Sequence, residues 1–336
     1  MEIVTGLLII AAGAFCQSSC YVPINRIRKW SWESYWLVQG IFAWLIFPFL
    51  GALLAVPAGN SLFEAYAAHP ADTLWSLFFG ILWGIGGLTF GLSMRYLGVA
   101  LGQSIALGTC AGLGTILTPV FTGKTDELTV PVIIGVICTL AGIGIIGAAG
   151  NMKSAMLSDE EKKKAVKDFN FTKGLLVALL AGFMSACFSI GLGFGESLCF
   201  PESQPVFKTL PATFMVTAGG FLTNLAYCLY QNKKNNTWGD YADTGLYVNN
   251  GLFCALAGAL WYSQFFGLSL GKGFLTESPV LLAFSWCILM SLNVTFSNIW
   301  GIILKEWKGC NTKTIIVLLA GIAVLVVSTF LPQLLK

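Results

Sequence analysis

The sequence predicts an all-α integral membrane protein of ten transmembrane helices, arranged as two inverted five-helix repeats. Three observations support this fold class. Of the 336 residues, 56% are hydrophobic and only 10% are charged, whereas a soluble domain carries about 25% charge. The apolar residues form ten runs long enough to cross a bilayer. Lys and Arg also alternate between abundant and scarce in the loops that join these runs.

Each run is continuous and does not alternate between apolar and polar residues, which favours helix over strand. A spanning helix needs about 20 mostly apolar residues. The first run has no basic stretch before it, so we expect a mature helix there rather than a cleaved signal peptide. The predicted spans are 3–23, 35–57, 73–96, 98–121, 130–149, 174–197, 209–231, 249–271, 279–303 and 314–333.

The basic residues predict the orientation of these spans. The loops after spans 1, 3, 5, 7 and 9 hold 15 of the 19 Lys and Arg residues, and the termini and remaining loops hold the other four. Basic loops stay on the cytoplasmic side of a membrane. We therefore expect both termini to face the periplasmic side.

The chain also predicts an internal duplication. A cytoplasmic loop, 151–173, separates a first five-helix repeat, 1–150, from a second, 174–336. Because five is an odd number, the two repeats must have opposite topology. Span 1 begins GLLIIAAGAFCQSSCY and span 6 begins GLLVALLAGFMSACFS, while spans 3 and 8 both carry LW…FGLS. Inverted repeats are typical of secondary transporters, whose substrate site lies near the membrane midplane between the repeats.

Polar side chains recur at helical spacing on eight spans but not on spans 5 and 10. Because such groups are costly against hydrocarbon, they predict a shared polar cavity with spans 5 and 10 at the periphery. Amides suit sugar hydroxyls because they both donate and accept, and aromatic rings can stack on a sugar. For a single hydroxyl, a hydrogen bond between helices is the competing interpretation. The candidate substrate contacts are Gln17, Tyr21, Trp83, Gln103, Trp261, Gln264 and Asn298.

Ionisable groups are scarce within the predicted spans. Glu196, near the outer end of span 6, shares a helix face with Ser185 and Ser189 and is the candidate for proton coupling. The competing interpretation is an acid in the aqueous interface. One histidine and ten cysteines without a CxxC pair predict no metal site and no cofactor. The small net charge and the absence of a basic aromatic patch predict membrane lipids, and no nucleic acid, as partners.

Four segments together resemble one family over essentially the whole chain and in the same order. They are KWSWE (29–33), WGIG…GLSMRYLG (83–98), WYSQFF (261–266) and LKEW (304–307), and they resemble the L-rhamnose–proton symporters of the drug/metabolite transporter superfamily. The resemblance implies ten helices in two inverted halves, a bacterial inner-membrane location, and uptake of L-rhamnose, and possibly L-lyxose, with a proton. One position departs from the family pattern, because Gly87 follows WGIG where the family has an amide.

Three other functions remain open on the sequence alone. A carrier of the same fold could take another sugar or metabolite, in keeping with Gly87. A membrane-embedded enzyme is disfavoured because the sequence has no HExxH, CxxC or His/Asp/Glu cluster. A channel is disfavoured because there is no repeated filter motif or charged ring. The sequence makes no prediction about oligomeric state.

Overall fold

The computed structural model describes residues 2–97, 99–156, 171–242, 244–305 and 307–336, and this part of the chain is helical without strands. Ten of its helices are long and apolar enough to cross a bilayer, which confirms the predicted all-α membrane class. They are α1 (Glu2–Ile24), α2 (Trp32–Leu54), α3 (Pro70–Leu97), α4 (Val99–Thr122), α5 (Val130–Ala155), α6 (Phe171–Phe194), α7 (Leu210–Asn235), α8 (Thr244–Phe274), α9 (Pro279–Ile303) and α10 (Thr312–Leu334).

Several helices extend beyond the predicted spans at their polar ends. The predicted seventh span stops at 231, but α7 continues through two lysines to Asn235, and Asn236 then ends it with a left-handed φ of 55°. Hydropathy marks only the apolar part of a helix, whereas the helix itself ends where a capping residue leaves helical geometry. Of the predicted connecting loop 151–173, α5 and α6 take the two ends, and residues 157–170 lie outside the described part of the chain.

The chain divides into two compact units that do not follow the predicted repeat boundary. The first unit contains Met1–Gly84 and Gly191–Phe274, and the second contains Ile85–Ile190 and Leu275–Lys336. Each unit therefore combines segments from both predicted repeats. Two helices, α3 and α6, contribute one end to each unit.

In the first unit, α1 packs along α8 and α2 packs along α7. Gly13 on α1 allows a close approach, since a Cβ there would lie 3.1 Å from the Cα atoms of Gln264 and Gly267. The first half of α3 meets the end of α6, where the Ser76 hydroxyl donates to the Gly191 carbonyl over 2.9 Å. These contacts bring α1, α2, α3, α7 and α8 into one packed bundle.

In the second unit, α5 packs along α10, and α4 and α9 pack against each other and against this pair. Although spans 5 and 10 show no polar stripe, the Thr139 and Ser328 hydroxyls on them are buried 2.9 Å apart. The Ser291 hydroxyl on α9 donates to Thr139 Oγ1 over 3.4 Å. These hydroxyls form hydrogen bonds between helices. For them, the interpretation as interhelical contacts is therefore correct, and the interpretation as cavity lining is not.

The helix pairs match one another under exchange of the two predicted repeats. The exchange converts the α1–α8 pair into the α6–α3 pair and the α4–α5 pair into the α9–α10 pair. It leaves the α2–α7, α4–α9 and α5–α10 pairs unchanged. This agreement supports the duplication, which stays a prediction.

Glycines on α3 separate into packed and open positions. A Cβ on Gly80 would lie 2.2 Å from the Val216 carbonyl oxygen on α7, and one on Gly84 would lie 2.8 Å from the Gly220 carbonyl oxygen. A Cβ on Gly87 or Gly91 would meet no atom within 4 Å among the described residues. Gly86 is also a packed position, since a Cβ there would lie 2.7 Å from the Ser185 backbone nitrogen on α6. Gly80, Gly84 and Gly86 are therefore required for helix packing, and Gly87 and Gly91 are not.

We expect Gly80→Ala to lower the thermal unfolding midpoint in detergent, because the added methyl group overlaps the backbone of α7. Overpacking of this kind costs about 1–3 kcal/mol. Gly91→Ala is the matched control on the same helix and should be neutral or stabilising, since alanine favours helix by about 1 kcal/mol. Equal midpoints for the two variants would contradict the close α3–α7 contact.

Candidate functional site

Four tryptophans of the first unit form a cluster, which we define as Trp36, Trp44, Trp83 and Trp261. The rings of Trp83 and Trp261 stack with centroids 5.8 Å apart and planes 27° apart. Trp44 stands nearly perpendicular to both, at 5.9 Å and 88° from Trp83 and at 6.2 Å and 85° from Trp261. The structure therefore brings together two of the predicted sugar contacts and adds a third ring to them.

The backbone of α2 changes its winding where it supplies Trp44. Residues Ile41–Ile46 form a π-helical segment between two α-helical ones. Such segments are rare and occur frequently at functional sites. The Trp44 ring lies over Gly40, where a Cβ would be 2.6 Å from ring atoms Cε3 and Cζ3. A glycine at this position is therefore needed for the ring to take its place in the cluster.

Two indoles of the cluster differ in their hydrogen bonds. Trp36 Nε1 donates to Asn224 Oδ1 over 3.0 Å, and Asn224 Nδ2 in turn donates to the Gly220 carbonyl over 2.8 Å. Trp44 is only 5% exposed, yet its Nε1 has no acceptor among the described residues. A buried donor without an acceptor is unfavourable by about 1–3 kcal/mol.

One of the predicted amides lies beside this cluster, and a second lies at a similar level along the neighbouring helix. Gln264 is 3% exposed on α8, and its Nε2 donates to the Trp261 carbonyl over 3.0 Å. Gln17 is half-buried on α1. Because Gly13 lies against Gln264 and Gly267 and the two helices run in opposite directions, Gln17 lies near the level of Trp261. The two amides therefore lie at about the same level along their helices as the stacked rings.

The remaining candidates lie at the end of a helix, in the second unit or in a turn. Tyr21 is 54% exposed at the end of α1. Asn298 is half-buried in the second unit, and its Nδ2 donates to the Val294 carbonyl over 2.9 Å. Glu196 is exposed in the 3₁₀ turn Gly195–Leu198 that follows α6. The side chain of Gln103 lies outside the described residues.

Sequence reasoning missed Trp36, Trp44 and Gln39, although a signal for the first two was present. Trp32, Trp36, Gly40 and Trp44 recur every fourth residue and so share a helix face. This face is aromatic rather than polar, so the spacing of polar residues does not reveal it. Gln39 is 3% exposed, and its Oε1 has no donor among the described residues. The π-helical turn itself has no recognisable sequence signature.

A polar network joins the loop after α1 to the end of α7 in the first unit. Glu33 is 5% exposed, and its carboxylate accepts from Asn235 Nδ2 and from Thr237 Oγ1, each over 2.9 Å. Asp240 accepts from the Ser31 backbone N–H over 2.8 Å and from the Ser31 hydroxyl. The network fixes the KWSWE segment against α7.

The hydrogen bonds of Asp240 also set its protonation state. Burial raises the pKa of this carboxyl, but the hydrogen bonds from the Ser31 hydroxyl and backbone outweigh burial and hold the pKa below its usual value. A carboxylate with a lowered pKa stabilises the fold above the unfolded-state pKa. Its contribution is therefore full at neutral pH and is lost as the pH falls through the lowered pKa.

The second unit contains an apolar cavity of about 500 Å³, and none of the predicted sugar contacts whose side chains are described lines it. It is lined by α4, α5 and α6 with residues such as Gly112, Leu140 and Leu179. A sugar site needs hydrogen-bonding groups, so this cavity is not the candidate site. Within the described residues, no three His, Cys, Asp or Glu side chains group closely enough to hold a metal ion.

We expect Glu33→Ala to lower the thermal unfolding midpoint, because it leaves Asn235 and Thr237 without the carboxylate that they donate to. The loss of a buried acceptor costs about 1–3 kcal/mol. Glu64→Ala removes an exposed carboxylate from a short helix of the same unit and should leave the midpoint unchanged. Indistinguishable midpoints for the two purified variants would show that the network does not stabilise the fold.

Comparison with known proteins places this geometry in context. A family model described as L-rhamnose-proton symport protein (RhaT) matches residues 1–334. Similar curated proteins are named L-rhamnose-proton symporter and come from Citrobacter koseri, Escherichia coli and Shigella boydii serotype 18. Each is 33% identical over 341 residues, covering 96% of this chain and 94% of the relative.

Proposed function

Since the chain belongs to the L-rhamnose–proton symporter family, we propose that it imports L-rhamnose together with a proton. The observation that carries the proposal is the family match over residues 1–334, in which all ten helices take part. The chain is a multi-pass membrane transporter rather than an enzyme. L-lyxose is a second substrate under the same proposal.

The proposed mechanism is alternating access, in which the two inverted repeats rock around a midplane site. The symmetry of the helix pairs supports the repeats, and the distribution of Lys and Arg supports an inner-membrane protein with both termini on the periplasmic side. Proton binding from outside would favour the loaded, outward-facing form. Release of the proton inside would follow the gradient and free the sugar.

Among the proposed sugar contacts, Trp83, Trp261 and Gln264 have the strongest support because they are neighbours in one unit. The rings stack on each other, so a sugar would use an outer ring face. Gln264 directs one N–H to the Trp261 carbonyl, which holds its amide beside the stacked rings. Gln17, Tyr21, Gln103 and Asn298 complete the proposed set.

Gly87 favours a second candidate, a carrier of the same fold for a different sugar. The family pattern has an amide there, and a Cβ on Gly87 meets no described atom within 4 Å. The site would therefore lack one hydrogen-bonding group and accept a sugar with a different hydroxyl pattern. Competition of L-rhamnose uptake by L-lyxose, L-mannose and L-fucose separates the two candidates.

We expect proteoliposomes containing the purified protein to accumulate labelled L-rhamnose when the outside is acidic. Accumulation should collapse when a protonophore removes the gradient, because the proton then supplies no driving force. It should not respond to a sodium gradient at constant pH. Accumulation that is independent of the pH gradient would contradict proton coupling, and the absence of any uptake would contradict the substrate.

A pair of tryptophan variants on α3 provides the matched control for this assay. Trp83→Phe shrinks a ring of the cluster and should raise the KM for L-rhamnose about threefold to tenfold. Trp75→Phe changes a ring that is 48% exposed and stacks on Phe194 instead. An equal change in KM for the two variants would remove Trp83 from the site.

Glu196→Gln should abolish accumulation driven by the pH gradient while leaving sugar exchange between the two sides intact. A glutamine keeps the size of the side chain but cannot carry the proton. Glu202→Gln is the control, because Glu202 is another exposed acid six residues further along the chain. If the Glu196→Gln variant accumulates sugar as the parent protein does, the coupling acid lies elsewhere.

A further inference from the structure

We propose that the indole N–H of Trp44, which the π-helical turn of α2 holds beside Trp83 and Trp261, donates a hydrogen bond to an oxygen atom of the transported sugar. The inference rests on the proposed sugar transport and adds a specific contact to it. Neither the family pattern nor the polar stripes of the helices point to Trp44.

Two indoles of the cluster differ in whether the protein supplies an acceptor for the N–H group. Trp36 Nε1 has a protein acceptor at 3.0 Å, the Asn224 side-chain oxygen. Trp44 is more deeply buried than Trp36, yet its Nε1 has no acceptor in the described part of the chain. Because a buried N–H almost always has a partner, an indole left without one in a transporter is suited to an acceptor that arrives with the substrate.

The position of Trp44 depends on an unusual backbone conformation. A π-helical turn is less stable than the α-helix around it and survives where it serves a function. Here the turn, together with Gly40, sets the Trp44 ring perpendicular to Trp83 and Trp261. Packing alone does not require a donor at this position, since a phenylalanine would also fill an apolar pocket.

The groups that the cluster offers match the chemistry of the proposed ligand. A neutral pyranose offers hydroxyl and ring oxygens as acceptors beside a face of C–H groups. Trp83 and Trp261 are half-buried rings suited to the C–H face, and Trp44 supplies a donor but no acceptor. The described members of the cluster carry no charge, so the arrangement favours an uncharged sugar over a sugar acid or phosphate.

The test compares Trp44→Phe with Trp75→Phe by equilibrium binding of L-rhamnose to the purified protein. Trp44→Phe should raise Kd about threefold to tenfold, as expected for the loss of one neutral hydrogen bond. Trp75→Phe should change Kd less than twofold, because the Trp75 ring stacks on Phe194 and is not part of the cluster. Equal effects of the two variants on Kd, or no effect of Trp44→Phe, would overturn the proposal.

Single-deoxy analogues of the sugar separate a direct contact from a loss of packing. The analogue that lacks the oxygen bound by Trp44 should bind the parent protein more weakly, and Trp44→Phe should weaken it no further. If the effects of Trp44→Phe and of every deoxy position multiply, no direct bond exists. For a ring-oxygen acceptor, the carbocyclic analogue takes the place of the deoxy sugar.

Indole N–H resonances in ¹⁵N-tryptophan-labelled protein give a readout that does not depend on stability. The Trp44 signal, assigned by its loss in Trp44→Phe, should move downfield and exchange more slowly with solvent when L-rhamnose is added. The Trp36 signal, already hydrogen-bonded, should change little. An unmoved Trp44 signal at saturating sugar would overturn the proposal even if both variants bind normally.

The outcomes also distinguish this inference from the proposed function. If the protein binds another sugar but not L-rhamnose, the proposed substrate is wrong, and the same comparison is made with the sugar that binds. If L-rhamnose binds and the Trp44 signal does not move, the proposed function stands and the inference fails. If no sugar in the competition panel binds, both fail.

Discussion

The arrangement of this protein depends on the absence of water from the bilayer core, where each polar group must find a partner within the protein. Most polar side chains in the helices have a hydrogen-bond partner within the protein. Hydroxyls such as Thr139, Ser291 and Ser328 bond to one another, and Asn224 holds the Trp36 indole. Several buried side-chain atoms of the described residues have no such partner, among them Trp44 Nε1, Gln39 Oε1 and Trp286 Nε1, and these exceptions are therefore informative. In a soluble protein a nearby water could account for them.

The fold follows from the sequence because lipid imposes a coarse rule. Runs of about 20 apolar residues become helices whatever their neighbours are, so all ten helices are predictable. The C-terminal end of α7 is less predictable, because its lysines are helical although they lie outside the apolar run. The division into two units is not predictable, since the helices pair across the repeats and Gly13 or Gly80 shows its role only when a second helix lies against it.

The candidate site is partly predictable for the same reason. Trp83, Trp261 and Gln264 are found from residue type and helical spacing, and they are neighbours in the structure. The position of Trp44 depends on a change in helical winding at Ile41–Ile46. If α2 is taken as a regular α-helix throughout, the side chains at its two ends are assigned to one continuous face. Glu33 escapes notice because it sits at a helix end, where the sequence gives no sign that loop groups from α7 enclose it.

The π-helical turn has a consequence for how α2 tolerates changes in length. One more residue per turn means that deleting a single residue from Ile41–Ile46 leaves an ordinary α-helix, with its hydrogen-bond ladder complete. The membrane anchor would survive, and the residues on either side of the turn would keep nearly the same relative orientation, because the π turn accommodates the extra residue within one circuit of the helix. A deletion between Trp36 and Gly40 would instead rotate Trp36 by about 100° relative to Trp44. Variation in length is therefore better tolerated at this turn than in the α-helical part of α2 before it.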